Sequence, residues 1–234
     1  MGLTVNKVAT VLPDFGKFSE FVLQNQRQIT PKIFSQELGK VQKGFVAAKQ
    51  RELFCKEADD LATKLVAEKN GDFAGIIYSA LTKLTEYFPK ELEIYAKKGL
   101  AVAEANGDYV HMMARLNNLR KVYIDKPDKL YDYIQTLYAQ EKCLRKLSKN
   151  FESATEGFRT VSRKTATKED YQKMLAYVQT EIGKLTWKKH PKDATKKLLS
   201  ARQIFESRGD IQSVDYIDML LTKVNKSSNL DKVG

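Results

Sequence analysis

Apolar residues along this chain recur at intervals of three and four, the spacing that gathers them on one face of an α-helix. Phe73, Ile76, Ile77, Ala80, Leu84 and Phe88 form one such stripe. Tyr109, Met112, Met113, Leu116 and Tyr123 form a second, and Tyr171, Met174, Leu175, Val178, Ile182 and Leu185 a third. Ile211, Val214, Ile217, Leu221 and Val224 form a fourth. No segment alternates strictly, and β-branched clusters bounded by turns are missing. The pattern predicts an all-α fold.

Punctuation between the stripes places the helix ends. Pro89, Pro127 and Pro191 each follow a stripe by a few residues. Proline suits a first helical position, where its missing N–H costs no intrahelical bond. Thr30-Pro31 reads as a helix start, and Thr167 to Asp170 as a capping box with Asp in place of Glu. The pairs Gly71-Asp72, Gly107-Asp108 and Gly209-Asp210 read as helix stops. There glycine takes the left-handed position and aspartate caps the next helix. These marks predict helices near 17–28, 31–70, 72–87, 90–105, 108–124, 128–164, 168–187, 191–207 and 210–225.

Two of the nine expected segments are long. In 31–70, Phe34, Leu38, Val41, Phe45 and Ala48 step by four and three, and Cys55, Ala58, Ala62 and Leu65 continue the stepping. In 128–164 the seam is Leu130, Ile134, Leu137, Leu144, Leu147, Phe151, Ala154, Phe158 and Val161, with polar Glu141 as its one gap and Asn150 as a point where it could break. Seams of this kind pack against another helix.

The chain also repeats itself. Val66 to Phe73 reads V-A-E-K-N-G-D-F and Val102 to Tyr109 reads V-A-E-A-N-G-D-Y, an offset of 36 residues. Each copy ends one expected helix and begins another. A repeat of this length built from helix pairs is the mark of an α-solenoid. Ala96, Leu100, Ala103, Gly107-Asp108, Ala114, Leu119 and Tyr123 follow this plan, and so do Ile182-Gly183, Pro191, Ala194, Leu198, Ala201 and Gly209-Asp210. On these residues the chain resembles the tetratricopeptide-repeat superfamily over roughly residues 60–225. The resemblance implies antiparallel helix pairs stacked as a TPR-like α-solenoid, and a role in binding. Small residues at Ala96, Gly99, Ala103, Ala194 and Ala201 suit close helix contact. No position matches a ligand-clamp motif of that family. The expected organisation is an N-terminal helical segment over 1–70, a repeat region over 71–225 and a flexible tail over 226–234.

Composition narrows the class. Hydrophobic residues make up 42% of 234, enough for a core and too many for disorder. No apolar run approaches the length of about 18 residues expected of a spanning helix. Two cysteines cannot form a disulfide framework, so Cys55 and Cys143 are expected to be reduced and buried. Met1 to Thr10 does not read as a signal peptide, and Asn6 stands where a myristoylation motif needs Ser or Thr. The expectation is an intracellular, cytoplasmic protein.

Motifs for chemistry are scarce. There is no glycine-rich phosphate loop and no nucleophile elbow. His111 and His190 stand alone, without the converging ligands a metal needs. His190 suits a helix N-cap or loop before Pro191, and His111 the surface of its helix. Trp187 ends an expected helix, as an anchor between helices or as a recognition aromatic. The expectation is no catalytic site, no cofactor and no metal. Paired carboxylates brought together from distant segments are the one route left open to a small enzyme.

Charge is the distinctive feature. The chain carries 40 Lys+Arg against 29 Asp+Glu. Residues 142–202 hold 16 Lys+Arg and 6 Asp+Glu, an excess of ten, while the remainder has an excess of one. Lys142, Lys146 and Lys149 share one side of the long helix, flanked by Arg145, with Arg163 and Lys164 beyond. Lys188, Lys189, Lys192, Lys196 and Lys197 cluster around Pro191. Such a face can simply be solvated. It can also steer an acidic protein or peptide onto the surface. Nucleic acid is the alternative partner, through phosphate neutralisation, although no groove-reading motif accompanies the lysines. An anionic membrane surface would need a protruding aromatic face beside the charge. The favoured reading is a non-enzymatic scaffold or adaptor. Its partner-binding surface would be Lys142, Arg145, Lys146, Lys149, Arg163, Lys164, Lys188, Lys189, Lys192 and Lys196.

Overall fold

Helix after helix forms where the stripes predict it. The structure, a computed structural model, describes residues 14–149, 151 and 166–230, without the side chains of 227–230. All regular elements among these residues are helical. They are α1 (Phe15–Asn25), α2 (Pro31–Ala47), α3 (Arg51–Ala67), α4 (Gly71–Leu84), α5 (Pro89–Ala105), α6 (Tyr109–Tyr123), α7 (Leu130–Lys149), α8 (Lys168–Thr186), α9 (Pro191–Glu206) and α10 (Ile211–Leu230). A 3₁₀ turn at Pro127–Lys129 leads into α7. None of these helices is long and apolar enough to cross a membrane.

The expected single helix over 31–70 is two helices. On one continuous helix Phe45 and Phe54 would lie nine residues apart, about half a turn out of phase, and could not share a core. The chain instead reverses at Ala48 to Gln50, which brings the two rings to 5.9 Å. The reversal has no glycine to announce it, because Lys49 itself takes the left-handed conformation at φ 58°. Ala48, assigned to the seam by spacing, is exposed.

Four connections share one geometry. A residue two or three positions past the helix end is left-handed: Lys49, Lys69, Gly107 or Gly209, with φ between 58° and 67°. Its N–H bonds back three residues, and the next N–H bonds back five, as in Asn70 N to Leu65 O at 2.8 Å and Asp108 N to Ala103 O at 2.9 Å. This is the Schellman closure. The residue that completes it then opens the next helix. Asp108 Oδ1 accepts from His111 N at 3.0 Å, and Asp210 Oδ1 accepts from Ser213 N at 3.2 Å.

This geometry corrects the register of the repeat. Gly71 does not close a helix; it is the first residue of α4, and Lys69 holds the left-handed position instead. The equivalent of Gly107 is therefore Lys69, an offset of 38 rather than 36. The shared tripeptide N-G-D falls on different structural positions in its two copies. At the other end, α10 runs through Leu230, past the expected end at 225, because neither Gly nor Pro interrupts 226–230. The expected flexible tail therefore begins in helix. The second half of the expected long helix 128–164 lies outside the described residues, apart from Phe151.

The chain divides into two units, Met1–Leu84 and Thr85–Gly234. In the first, α1 packs on α2 and α3, α2 on α3 and α4, and α3 on α4. Its core is rich in phenylalanine: Phe34 and Phe73 stack at 4.6 Å, and Phe15 meets Phe18, Phe45 and Phe54 edge-on. In the second unit each helix from α5 to α10 packs chiefly on the next one in the chain. This nearest-neighbour order is compatible with a helical repeat. The small residues lie where spacing placed them, with Ala96, Ala103, Ala194 and Ala201 buried. Gly183 is the tightest point. A Cβ there would stand 2.6 Å from Leu198 Cγ, so α8 and α9 approach through the missing side chain.

Candidate functional site: a basic cleft on α7 and α9

The apolar seam of α7 faces its neighbours with Leu137, Leu144 and Leu147 fully buried. One turn off that seam, Lys142, Arg145, Lys146 and Lys149 are exposed. They share a cleft of about 450 Å³ with Tyr138, Glu141 and Lys197 of α9. The lining carries five cations and one carboxylate.

That carboxylate organises the site. Glu141 is only 4% exposed, although it sits among lysines at the surface. Lys197 Nζ donates to its two oxygens at 2.9 and 2.6 Å. Arg145 donates through Nε at 3.1 Å and Nη2 at 2.8 Å, and Gln179 Nε2 of α8 donates at 3.1 Å. Burial pushes the Glu141 carboxyl up, but the bonds from Lys197, Arg145 and Gln179 together outweigh it and hold the group below its usual value. One carboxylate thus ties α7, α8 and α9 together.

A second link runs beside it. Tyr138 OH donates to Asp193 Oδ2 of α9 at 2.8 Å, and Lys197 Nζ lies 5.5 Å from the Tyr138 ring centre. Burial, together with the Asp193 bond, pushes the Tyr138 hydroxyl up to about 12. The phenol therefore stays protonated at neutral pH. Arg145 and Lys197 are held in place, whereas Lys142, Lys146 and Lys149 have no carboxylate within ion-pair distance among the described residues.

Comparison with protein-family models, with curated proteins and with solved structures finds no match to this chain.

The expected surface is thus brought together in part. Lys142, Arg145, Lys146 and Lys149 line one cleft. Lys188, Lys189, Lys192 and Lys196 are exposed on the α8–α9 turn and the start of α9, outside the cleft lining. Arg163 and Lys164 lie outside the described residues. Sequence spacing missed Tyr138 and Glu141. The available signal was Glu141 itself, the polar gap in an otherwise apolar seam. Lys197 was grouped with its neighbours rather than with α7.

The remaining singled-out residues have structural partners. His190 is the N-cap of α9, ahead of Pro191. His111 is half-buried rather than on the open surface, with Nδ1 against the Asp108 carboxylate that caps α6. Trp187 packs against the α9–α10 core, with Lys188 over its ring. Cys55 and Cys143 are free and buried. Burial pushes the Cys143 thiol up to about 12, so it is not a nucleophile at neutral pH.

Proposed function

We propose that this protein is a non-enzymatic, TPR-like helical-repeat scaffold or adaptor that binds an acidic segment of another protein in the α7–α9 cleft. The observation that carries the reading is the charge of the cleft. Its lining has a net excess of four positive charges, and a single buried carboxylate fixes two of the five cations. Fixing Arg145 and Lys197 before binding lowers the ordering cost a ligand would otherwise meet. Lys142, Lys146 and Lys149 raise the encounter rate and remain available for carboxylates. The tetratricopeptide likeness is supported by nearest-neighbour packing in the second unit and by the recurring Schellman turns.

Titration of the full chain with a fluorescent poly-glutamate peptide and with a single-stranded oligonucleotide tests this reading. The expected result is peptide binding that weakens at least tenfold, about 1.4 kcal/mol, in Lys142→Glu/Lys146→Glu/Lys149→Glu. Oligonucleotide binding with the steeper salt slope, and indifference to the peptide, would transfer the cleft to nucleic acid. Equal peptide binding by the wild type and the triple variant at low salt would remove the cleft from consideration.

A further inference from the structure

Lys188, Lys189 and Lys192 are exposed on the turn between α8 and α9, outside the basic cleft. They share one end of the second unit with Tyr87 and Tyr131, the two most exposed of the large hydrophobic residues described. Helices α5 to α9 run alternately up and down, each packed on the next. The start of α5, the end of α6, the start of α7, the end of α8 and the start of α9 therefore fall at this end. Side-chain contacts tie them together. Lys121 Nζ at the end of α6 lies 2.8 Å from Glu86 Oε1 ahead of α5, and Lys129 Nζ ahead of α7 lies 3.7 Å from Glu93 Oε1. The Tyr138 hydroxyl in α7 reaches Thr186 at the end of α8 and Asp193 at the start of α9.

Charge divides this end into two flanks. On the α5–α6 side, residues 85–93 and 121–132 carry six carboxylates against four lysines. On the α8–α9 side, residues 184–193 carry four lysines against one carboxylate, Asp193, which Tyr138 already engages. Helix α7 stands between the flanks, since it packs on α6 and on α8. Its first residues, Leu130 and Tyr131, are 47% and 73% exposed, and Tyr87, Phe88 and Ile124 extend the apolar surface over the acidic side. At about 200 Å² for an aromatic side chain, Tyr87, Phe88 and Tyr131 offer roughly 400 Å² of exposed surface. Doubled across two molecules, with Ile124 and Leu130 added, this reaches the roughly 1,000 Å² that a specific interface needs.

We propose that this end of the second unit is a twofold docking surface for a second copy of this chain. Tyr131 sits at the centre, against Tyr131 of the other copy. The acidic flank of each copy faces the basic turn of the other, so that Lys188, Lys189 and Lys192 meet Asp125 and Asp128. A twofold contact needs a surface that complements itself, with residue i meeting j and j meeting i. Flanks of opposite sign on either side of an aromatic centre satisfy that requirement. A partner of one charge sign, such as an anionic membrane or an acidic protein, would be repelled by one flank. An aromatic centre with a charged rim is also the anatomy of a specific interface, where the centre carries most of the affinity and the rim sets the orientation. The surface shares no residue with the basic cleft and stands or falls separately.

Sedimentation equilibrium of the full chain over a range of concentrations tests the proposal. At low salt the expected species is a dimer, and added salt should loosen it. Tyr131→Glu sets two like charges on the twofold axis and should raise the dissociation constant at least tenfold. Lys188→Glu/Lys189→Glu/Lys192→Glu and Asp125→Lys/Asp128→Lys should each be monomeric alone, because flanks of like sign then face each other. Mixed in equal amounts, these two variants should form a heterodimer, in which every facing pair of flanks is again opposite in sign. Circular dichroism would show that each variant keeps its helix content. Lysine suits the left-handed backbone at Asp125, φ 62°, as Lys49 and Lys69 show. A wild type that stays monomeric at about 100 µM, a concentration that would fill any interface of micromolar affinity, would overturn the proposal. So would a dimer indifferent to all three variants, or charge reversals whose mixture stays monomeric.

Discussion

Glu141 shows how much one side chain can hold. Three donors from α7, α8 and α9 meet on its carboxylate, so Glu141→Ala leaves Lys197 and Gln179 short of an acceptor. Removing one member of a buried ion pair costs about 3 kcal/mol or more, and urea unfolding should register a loss of that size. The same residue makes stability depend on pH. Glu141, Glu93 and Asp108 all have folded values below their ordinary ones, because hydrogen bonds to their charged forms outweigh burial. As pH falls, the unfolded chain takes up protons first. The stability these groups add is complete above their ordinary values, 4.5 for the two glutamates, and is lost as pH falls through the lower folded values. The urea midpoint should therefore drop between pH 6 and pH 3, and by less in Glu141→Gln. Gly183 is the steric counterpart. Alanine there gains helix propensity of about 1 kcal/mol, but its Cβ meets the buried Leu198 at 2.6 and 2.8 Å. The clash should win, with a net loss of about 1–3 kcal/mol. If the clash is the cause, Gly183→Ala/Leu198→Ala should lose less than the sum of the two single losses; additive losses would show that it is not.

Among the elements, helices with strong stripes and clear end signals were legible in the sequence. Thr30 caps α2 ahead of Pro31, and Thr167 and Asp170 form the reciprocal capping box of α8. The turn at Lys49 was not legible, because no glycine or proline marks it and the stripe continues through it with helical spacing. Its cause is tertiary: Phe45 and Phe54 reach a common core only if the chain reverses. The repeat misled for a related reason. Identical letters at Asn70-Gly71-Asp72 and Asn106-Gly107-Asp108 fall on different turn positions, since apolar Leu65 and Ala103, not the glycines, set where the closure forms. Two substitutions check this assignment. Lys69→Gly should stabilise by about 1 kcal/mol, since it removes the left-handed penalty of a residue with a Cβ. Gly107→Ala should destabilise by about 1 kcal/mol at φ 65°. If 36 were the true register, Gly71→Ala would be the costly change, and thermal unfolding of the three variants separates the alternatives.

At the scale of the molecule, composition pointed to a basic surface but could not say which of its lysines converge. Convergence depends on side chains of α9 reaching α7 past α8, as Tyr138–Asp193 and Glu141–Lys197 do over 55 and 56 residues of sequence. No local period carries that information. Binding in the cleft should weaken from low salt to 1 M, where screening shortens to about 3 Å. Titration of the poly-glutamate peptide at two salt concentrations measures the change. The chain-neighbour packing of α5 to α10 has a kinetic side as well. Contacts between adjacent helices close short loops, so collapse can start at any pair and spread in both directions. Amide hydrogen exchange should then be graded rather than all-or-none. The slowest protons should sit where a single carboxylate clasps three consecutive rods, and α10, packed among the described residues chiefly on α9, should open first.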